Sequence, residues 1–222
     1  MPFNFPEIEI RVLGCLIEKS VTTPDYYPLT LNALTLACNQ KSNRDPEMKL
    51  DEKNVVQALD QLRIEHHLVW QITVPGNRVP KYKHDLPERW QLTEPQLAVM
   101  CELMLRGPQT IGELRTRTER LHPFNTLEDV EATLQELINR TDGAMVVKMP
   151  REPGRKEPRY THLLAGEAAF NTAPAEPPPE PARLLVQAEN ERFTRIEQEL
   201  AVLKAEIEAV KTQFANFKKQ LE

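Results

Sequence analysis

The octapeptide Pro-Gly-Asn-Arg-Val-Pro-Lys-Tyr at residues 75–82 returns at residues 153–160 as Pro-Gly-Arg-Lys-Glu-Pro-Arg-Tyr. Both copies follow one pattern, in which Pro-Gly, three variable residues and Pro precede a cation and Tyr. Pro-Gly is a strong turn signal, and apolar segments flank both copies. Each octapeptide therefore predicts the loop and return strand of a β-hairpin.

Two further blocks repeat in the same order ahead of these hairpins. Residues 7–23 align with residues 94–110, and residues 55–62 align with residues 130–137. Three blocks in one order indicate that the first 164 residues are two copies of one structural unit.

Each copy is predicted to form three helices followed by a two-stranded hairpin. In the second copy, Thr93, Thr110 and Thr126 are predicted helix N-caps, and Gly107-Pro108 ends the first helix. Three helices with such a hairpin are typical of a winged-helix domain, whose third helix reads DNA. The predicted helices are 7–19, 30–38, 52–66, 93–106, 110–121 and 126–140, and the predicted strands are 68–74, 80–84, 144–149 and 160–164.

The end of the chain has a heptad pattern. Nine apolar residues from Phe193 onward are spaced alternately by three and four, which is the a/d repeat of a coiled coil. Glutamates at g and lysines at e would attract each other across a parallel pair, although one amphipathic helix folded onto its own domain also satisfies the spacing. We expect homo-oligomerisation through this helix. The a/d residues are Phe193, Ile196, Leu200, Leu203, Ile207, Val210, Phe214, Phe217 and Leu221.

These patterns predict a mainly helical α+β protein with small β-hairpins. It would contain two tandem winged-helix domains and a C-terminal coiled-coil helix, with a proline-rich spacer between them. The predicted segments are winged-helix domains at 1–87 and 88–164, a linker at 165–183 and a coiled-coil helix at 184–222.

Composition narrows the function. The 222 residues include 28 Lys and Arg against 33 Asp and Glu, a net charge of −5, which excludes binding to nucleic acid through overall basicity. No apolar run approaches membrane-spanning length, and the N-terminus lacks the features of a secretory signal. The three scattered cysteines read as reduced core thiols, so a cytoplasmic location is expected.

Several segments carry a family resemblance. The chain resembles the YceH-like family of bacterial proteins over roughly residues 5–164, and the run around Cys38-Asn39-Gln40 is the most specific part of the match. The resemblance implies a tandem winged-helix fold and a link to DNA, and it implies no catalytic residues. The matching segments are 11–19, 21–24, 27–29, 37–46, 76–78 and 151–155.

No enzymatic chemistry is indicated. The five histidines are not paired with one another or with cysteines at metal-ligand spacing, and no nucleotide-binding or nucleophile motif occurs. We therefore expect neither an enzyme nor a bound cofactor or metal. His66 and His67 are adjacent and are interpreted as a helix end.

The predicted third helices are poor DNA readers. Residues 126–140 carry four acids against Arg140, and phosphate would repel them. Basic residues gather instead in the hairpin loops, in the second helix of the second copy and in the 39–49 loop. The predicted nucleic-acid-binding residues are Lys41, Arg44, Arg78, Lys81, Arg151, Arg155, Lys156 and Arg159.

Each basic region has a structural alternative. The second hairpin loop is either a phosphate contact or a solvated tip neutralised by Glu152 and Glu157. The polar run 39–44 is either a phosphate contact or a capping network that joins the second helix to Asp51.

The sequence thus leads to two hypotheses of function. The first is weak DNA binding, in transcription or chromosome-associated regulation, through the wings and basic loops. The second is a winged-helix scaffold that binds a protein partner without DNA, which the acidic helix 126–140 fits better.

Overall fold

Within residues 4–73, 79–151 and 157–166, which the computed structural model describes, the chain forms seven α-helices and two small antiparallel sheets. This mixture confirms the predicted α+β class. The described residues belong to one compact unit that spans residues 1–171. The predicted coiled-coil residues Phe193 to Leu221 and the linker beyond residue 166 lie outside the described residues.

The first half of the chain builds a three-stranded sheet in the order β1-β3-β2. The central strand β3 pairs antiparallel with both neighbours, so that Leu29 lies opposite Tyr82 and Trp70 opposite Lys83. The elements are α1 (Glu7–Thr22), a 3-10 turn (Pro24–Tyr26), β1 (Leu29–Thr30), α2 (Leu31–Cys38), α3 (Glu52–Ile64), β2 (Val69–Ile72) and β3 (Lys81–His84).

The second half repeats this order around a two-stranded sheet. In place of a first strand, Gln109 forms an isolated bridge with Tyr160 through two backbone hydrogen bonds. The short helix α4, which the sequence did not predict, joins the halves. The elements are α4 (Leu86–Trp90), α5 (Glu94–Arg106), α6 (Ile111–Arg117), a 3-10 turn (Thr118–Arg120), α7 (Leu127–Ile138), β4 (Val146–Lys148) and β5 (Tyr160–His162).

Capping side chains fix the helix starts. The Thr110 hydroxyl accepts from the Glu113 N–H, and the Glu113 carboxylate accepts from the Thr110 N–H. Thr126 and Asp129 form the same reciprocal pair, and Gln96 accepts from the Thr93 N–H. The caps predicted for the second half are therefore confirmed.

Four predicted helix ends differ from the observed ones, and two of them are those of α1, which runs to Thr22 rather than residue 19, and α7, which ends at Ile138 rather than residue 140. The helix expected to reach about Leu121 is α-helical only to Arg117, and the chain continues as the 3-10 turn Thr118–Arg120, in which the Leu121 N–H donates to the Thr118 carbonyl. Helix α3 ends at Ile64, and His67 adopts a left-handed φ of 55°, so the two histidines do follow a helix end.

Helices α1 and α5 form the centre of the molecule and make the most extensive contact between any two elements. The two helices can come this close because Gly14 has no side chain. A Cβ atom at this position would lie only 2.8 Å from Cδ2 of Leu105. At this point the Cys101 thiol donates to the Gly14 carbonyl, with 3.4 Å between sulfur and oxygen. The three cysteines are free and buried, which confirms their interpretation as core thiols.

Candidate functional site

The 39–49 loop, a predicted DNA contact, is organised around a buried arginine. Arg44 is 6% exposed and forms a two-pronged ion pair with Glu18, at 2.7 Å and 3.3 Å. Its Nε and Nη2 also donate to the Ala37 carbonyl near the end of α2. A phosphate could reach this guanidinium only if the ion pair opened, so we leave Arg44 out of the candidate interface.

The neighbouring polar side chains belong to the same network. The Asn39 side chain donates to the Leu50 carbonyl and accepts from the Leu50 N–H, both at 2.7 Å. The structure therefore contains the capping network expected as the structural alternative, with Leu50 rather than Asp51 as its partner. Lys41 and Lys49 point into solvent and remain available to a ligand.

The loop also joins the two halves of the chain. Arg106, at the end of α5, donates to the Asn43 side chain at 2.6 Å, and the Asp45 N–H donates to the Leu105 carbonyl at 2.9 Å. The 43–45 segment thus caps α5 from the other repeat.

The ion pair sets the protonation state of Glu18. Burial alone would raise the pKa of this carboxyl, but the hydrogen bonds and charge of Arg44 outweigh burial and hold the pKa below its usual range. Glu18 is therefore ionised at neutral pH, and it also pairs with Lys19 at 3.1 Å and with Arg120 at 4.0 Å.

In the second hairpin, one of the predicted nucleic-acid-binding cations is engaged within the protein. Arg159 donates to the Pro108 carbonyl at 2.5 Å and to Glu113 at 3.3 Å. Burial would raise the pKa of Glu113, but the Thr110 N–H and the charge of Arg159 hold it below its usual range. Arg151 is exposed, whereas Arg155 and Lys156 lie outside the described residues.

The two hairpin tyrosines pack inside the molecule. Tyr160 is fully buried and Tyr82 is 9% exposed. The ammonium of Lys148 lies 5.8 Å from the centre of the Tyr160 ring. Packing, rather than base stacking, is therefore the role of both tyrosines.

The first hairpin carries a basic and aromatic surface, which we call the Trp70 face. Its strand register puts Trp70 opposite Lys83 and Ile72 opposite Lys81 on the side of the sheet away from the buried Val69 and Tyr82. Trp70 is 47% exposed. The residues of the face are Trp70, Ile72, Lys81 and Lys83.

Sequence reasoning found Lys81 but missed Trp70 and Lys83. Trp70 and Lys83 are exposed and directly opposite each other, but the burial along the two strands does not strictly alternate, because Gln71 is exposed beside Trp70. Arg78 precedes β3 in the sequence and lies outside the described residues.

The third helix of the second half presents acids to solvent. Glu128, Asp129, Glu131 and Glu136 are all exposed on α7, as the sequence predicted. Beside its start, a cleft of about 410 Å³ is lined by Arg115, Phe124 and the 46% exposed Leu127. This surface suits a protein partner better than a phosphate backbone.

Two features are absent from residues 4–73, 79–151 and 157–166, which the structure describes. No helix there is both long and apolar enough to cross a bilayer. Over the same residues, His, Cys, Asp and Glu form no group of three suited to a metal ion.

The duplicated unit of three helices and a hairpin defines this chain as a two-copy α+β protein with a basic sheet face in one copy and an acidic helix in the other. It belongs to a family described as a protein of unknown function, DUF480, whose model matches residues 5–155.

The chain is 56% identical over 201 residues to a UPF0502 protein of Geotalea uraniireducens, with 90% of each chain covered. It is 44% identical over 215 residues to a UPF0502 protein of Photobacterium profundum, with 95% of this chain and 96% of the relative covered. The predicted membership of an uncharacterised bacterial family is confirmed under these family names.

Proposed function

We propose that the chain is a tandem winged-helix protein that binds DNA weakly through the Trp70 face and adjoining basic loops. The order of elements supports the fold assignment, because in the first half β1 precedes α2 and α3, and a β2–β3 hairpin follows and completes the sheet. The second half has the same helix order, with the Gln109 bridge in place of the first strand.

The observation that carries the DNA hypothesis is the composition of the Trp70 face. Its cross-strand pairs bring two lysines together with an exposed indole and contain no acid. Lysines neutralise phosphates and so release counterions from the DNA. An indole can stack on a base or contact a sugar. The wing lysines would thus supply affinity without sequence readout.

The charges on the helices explain why we expect weak binding by each half. Helix α7 would be repelled by a phosphate-lined groove, and Arg44 and Arg159 are engaged within the protein. Self-association through the predicted C-terminal coiled coil would present several Trp70 faces at once, and avidity would raise the overall affinity.

A double variant tests the face directly. Lys81→Ala with Lys83→Ala should weaken binding of full-length protein to a short mixed-sequence duplex. If each lysine contacts one phosphate, the slope of log affinity against log salt should flatten by about 1.8. Lys148→Ala is the matched control, because Lys148 is a strand lysine that lies over Tyr160 in the other hairpin.

Trp70→Ala separates stacking from charge. It should weaken binding to single-stranded DNA by about 1–3 kcal/mol per stacked base while the salt slope stays the same. The DNA hypothesis would be refuted if neither Trp70→Ala nor the double variant Lys81→Ala with Lys83→Ala changed the affinity for DNA. It would also be refuted if the parent protein did not bind DNA at low salt. Arg155→Ala with Lys156→Ala tests the second wing without disturbing the Arg159 contacts.

A scaffold function remains the second proposal, and the acidic α7 surface beside exposed Leu127 favours it. Glu128→Gln with Glu131→Gln discriminates between the two. The change should strengthen DNA binding if α7 approaches phosphate, and it should weaken capture of one stoichiometric, nuclease-resistant partner if α7 binds a protein.

A further inference from the structure

A buried arginine without a directly bonded carboxylate lies between the two halves of the chain. Arg11, on α1, is 2% exposed. Its Nη2 donates to the Pro46 carbonyl at 2.6 Å, whereas Nε and Nη1 have no hydrogen-bond partner among the described residues. In the same part of the chain, no carboxylate oxygen lies within 4.0 Å of the guanidinium. By contrast, Arg44 has an oxygen of Glu18 within this distance, and Arg106 has an oxygen of Glu102.

This arrangement is costly for an arginine in particular. A buried carboxyl can become neutral by taking up a proton, but a guanidinium stays charged throughout the ordinary pH range. An uncompensated buried charge destabilises a protein by several kcal/mol, so natural proteins pair such groups. Cys15 and Glu7 act on Arg11 electrostatically without bonding to it, so the guanidinium still has room for an anion in direct contact with its Nε and Nη1.

A cavity of about 150 Å³ adjoins Arg11 and has room for a small molecule. Its walls are mostly apolar and come from both halves of the chain, with Ile10, Met48, Leu103 and Met104 among them. His162 also lines the cavity, and burial lowers its pKa to about 4, so its ring is neutral at physiological pH. One permanent cation in a mostly apolar cleft that opens to solvent beside Glu7 and Asp45 suits an anion with a hydrocarbon body.

The charges at the cavity argue for a single negative charge on the ligand. Glu7 and Asp45 belong to the lining and have exposed side chains, so they oppose any anion, and they oppose a phosphate dianion about twice as strongly as a monoanion. Arg44 adds positive potential nearby, but Glu18 already compensates it. Chloride would satisfy the charge and leave the apolar walls without a partner.

We propose that this cavity binds a small organic monocarboxylate, whose carboxylate pairs with Arg11 and whose hydrocarbon part contacts Ile10 and Leu103. Because the walls come from α1, the 45–48 segment, α5 and the end of β5, the ligand would bridge the two repeats. The site lies apart from the Trp70 face and does not depend on DNA binding.

The test uses full-length protein and sodium butyrate as the probe, with calorimetric titration and thermal unfolding as readouts. Butyramide, which has the same shape and no charge, is the matched ligand control, and inorganic phosphate is tested at equal ionic strength. We expect saturable binding of butyrate with a rise in Tm, and neither effect from butyramide or phosphate.

Arg11→Met should weaken butyrate binding at least about tenfold, since a lost charged hydrogen bond is worth about 1.5–3 kcal/mol. Arg63→Met, which removes an arginine outside the cavity, should leave binding unchanged. If Arg11→Met does not fold, Ala165→Phe fills the cavity while keeping Arg11, and it should abolish butyrate binding in a folded protein.

Three results would overturn the proposal. The first is equal behaviour of butyrate and butyramide, and the second is equal behaviour of butyrate and phosphate. The third is thiolate absorbance from the native protein at neutral pH that disappears in Cys15→Ser, which would identify the neighbouring Cys15 thiolate as the counter-charge of Arg11.

Discussion

Replacing Arg44 by methionine should destabilise the protein strongly, although the sequence offers this residue as a surface cation. The substitution keeps much of the side-chain volume but removes the buried partner of Glu18. This carboxylate is 4% exposed and keeps two more exposed cations, Lys19 at 3.1 Å and Arg120 at 4.0 Å. Breaking a buried ion pair from one side costs about 3–5 kcal/mol. At this chain length, that loss corresponds to a fall in Tm of about 6–20 °C.

Chemical denaturation measures the effect, and two further variants make it specific. Lys41→Ala, in the same loop but exposed, should change the free energy of unfolding by no more than about 0.5 kcal/mol. Adding Glu18→Gln to Arg44→Met removes the stranded charge and should restore part of the loss. A loss below about 1 kcal/mol in Arg44→Met, together with weakened DNA binding, would show that Arg44 serves a ligand and would refute this reasoning.

Three other expectations concern the core, the pH dependence and the tail. Gly14→Ala should cost about 1–3 kcal/mol in chemical denaturation through overpacking against Leu105, whereas Gly112→Ala, whose Cβ would meet only the Thr110 hydroxyl at 4.0 Å, should be neutral or slightly stabilising. Burial lowers the pKa of His84 and His162 to about 4, below the ordinary 6.5, so the unfolded chain binds more protons between these pH values. The free energy of unfolding should therefore fall as the pH drops through this window. The double variant His84→Gln with His162→Gln should show a weaker fall. A slope equal to that of the parent would contradict the lowered pKa of the two histidines. In sedimentation, the full chain should form a larger assembly than a version ending at Gly166, and a monomeric full chain would exclude the coiled-coil prediction.

Sequence patterns predicted the parts of the fold that depend on neighbouring residues. A threonine cap with an acid or amide three positions later acts within one turn, so the starts of α5, α6 and α7 followed directly from the sequence. Strand β1 and helix α4 were missed because two and five residues are too short for a periodic signal.

The roles of the arginines depended on distant partners. Arg44 meets Glu18 across 26 positions, and Arg159 meets Glu113 across 46. Nothing local distinguishes these side chains from exposed Arg151, so the predicted interface included all three. Arg11 escaped notice because nothing in the surrounding sequence shows that its guanidinium is buried without a bonded carboxylate.

The contact between Gly14 and Cys101 has a consequence for the origin of the molecule. The repeat alignment places these two residues at equivalent positions, and a contact between equivalent positions is what a local two-fold axis between the copies would produce. Such an interface is isologous, as in a symmetric dimer of identical subunits. The surface of α1 that meets α5 would therefore have evolved to recognise its own copy before the two were fused. Residues 1–87 made as a separate chain should still pair, either with one another or with residues 88–166 supplied in trans.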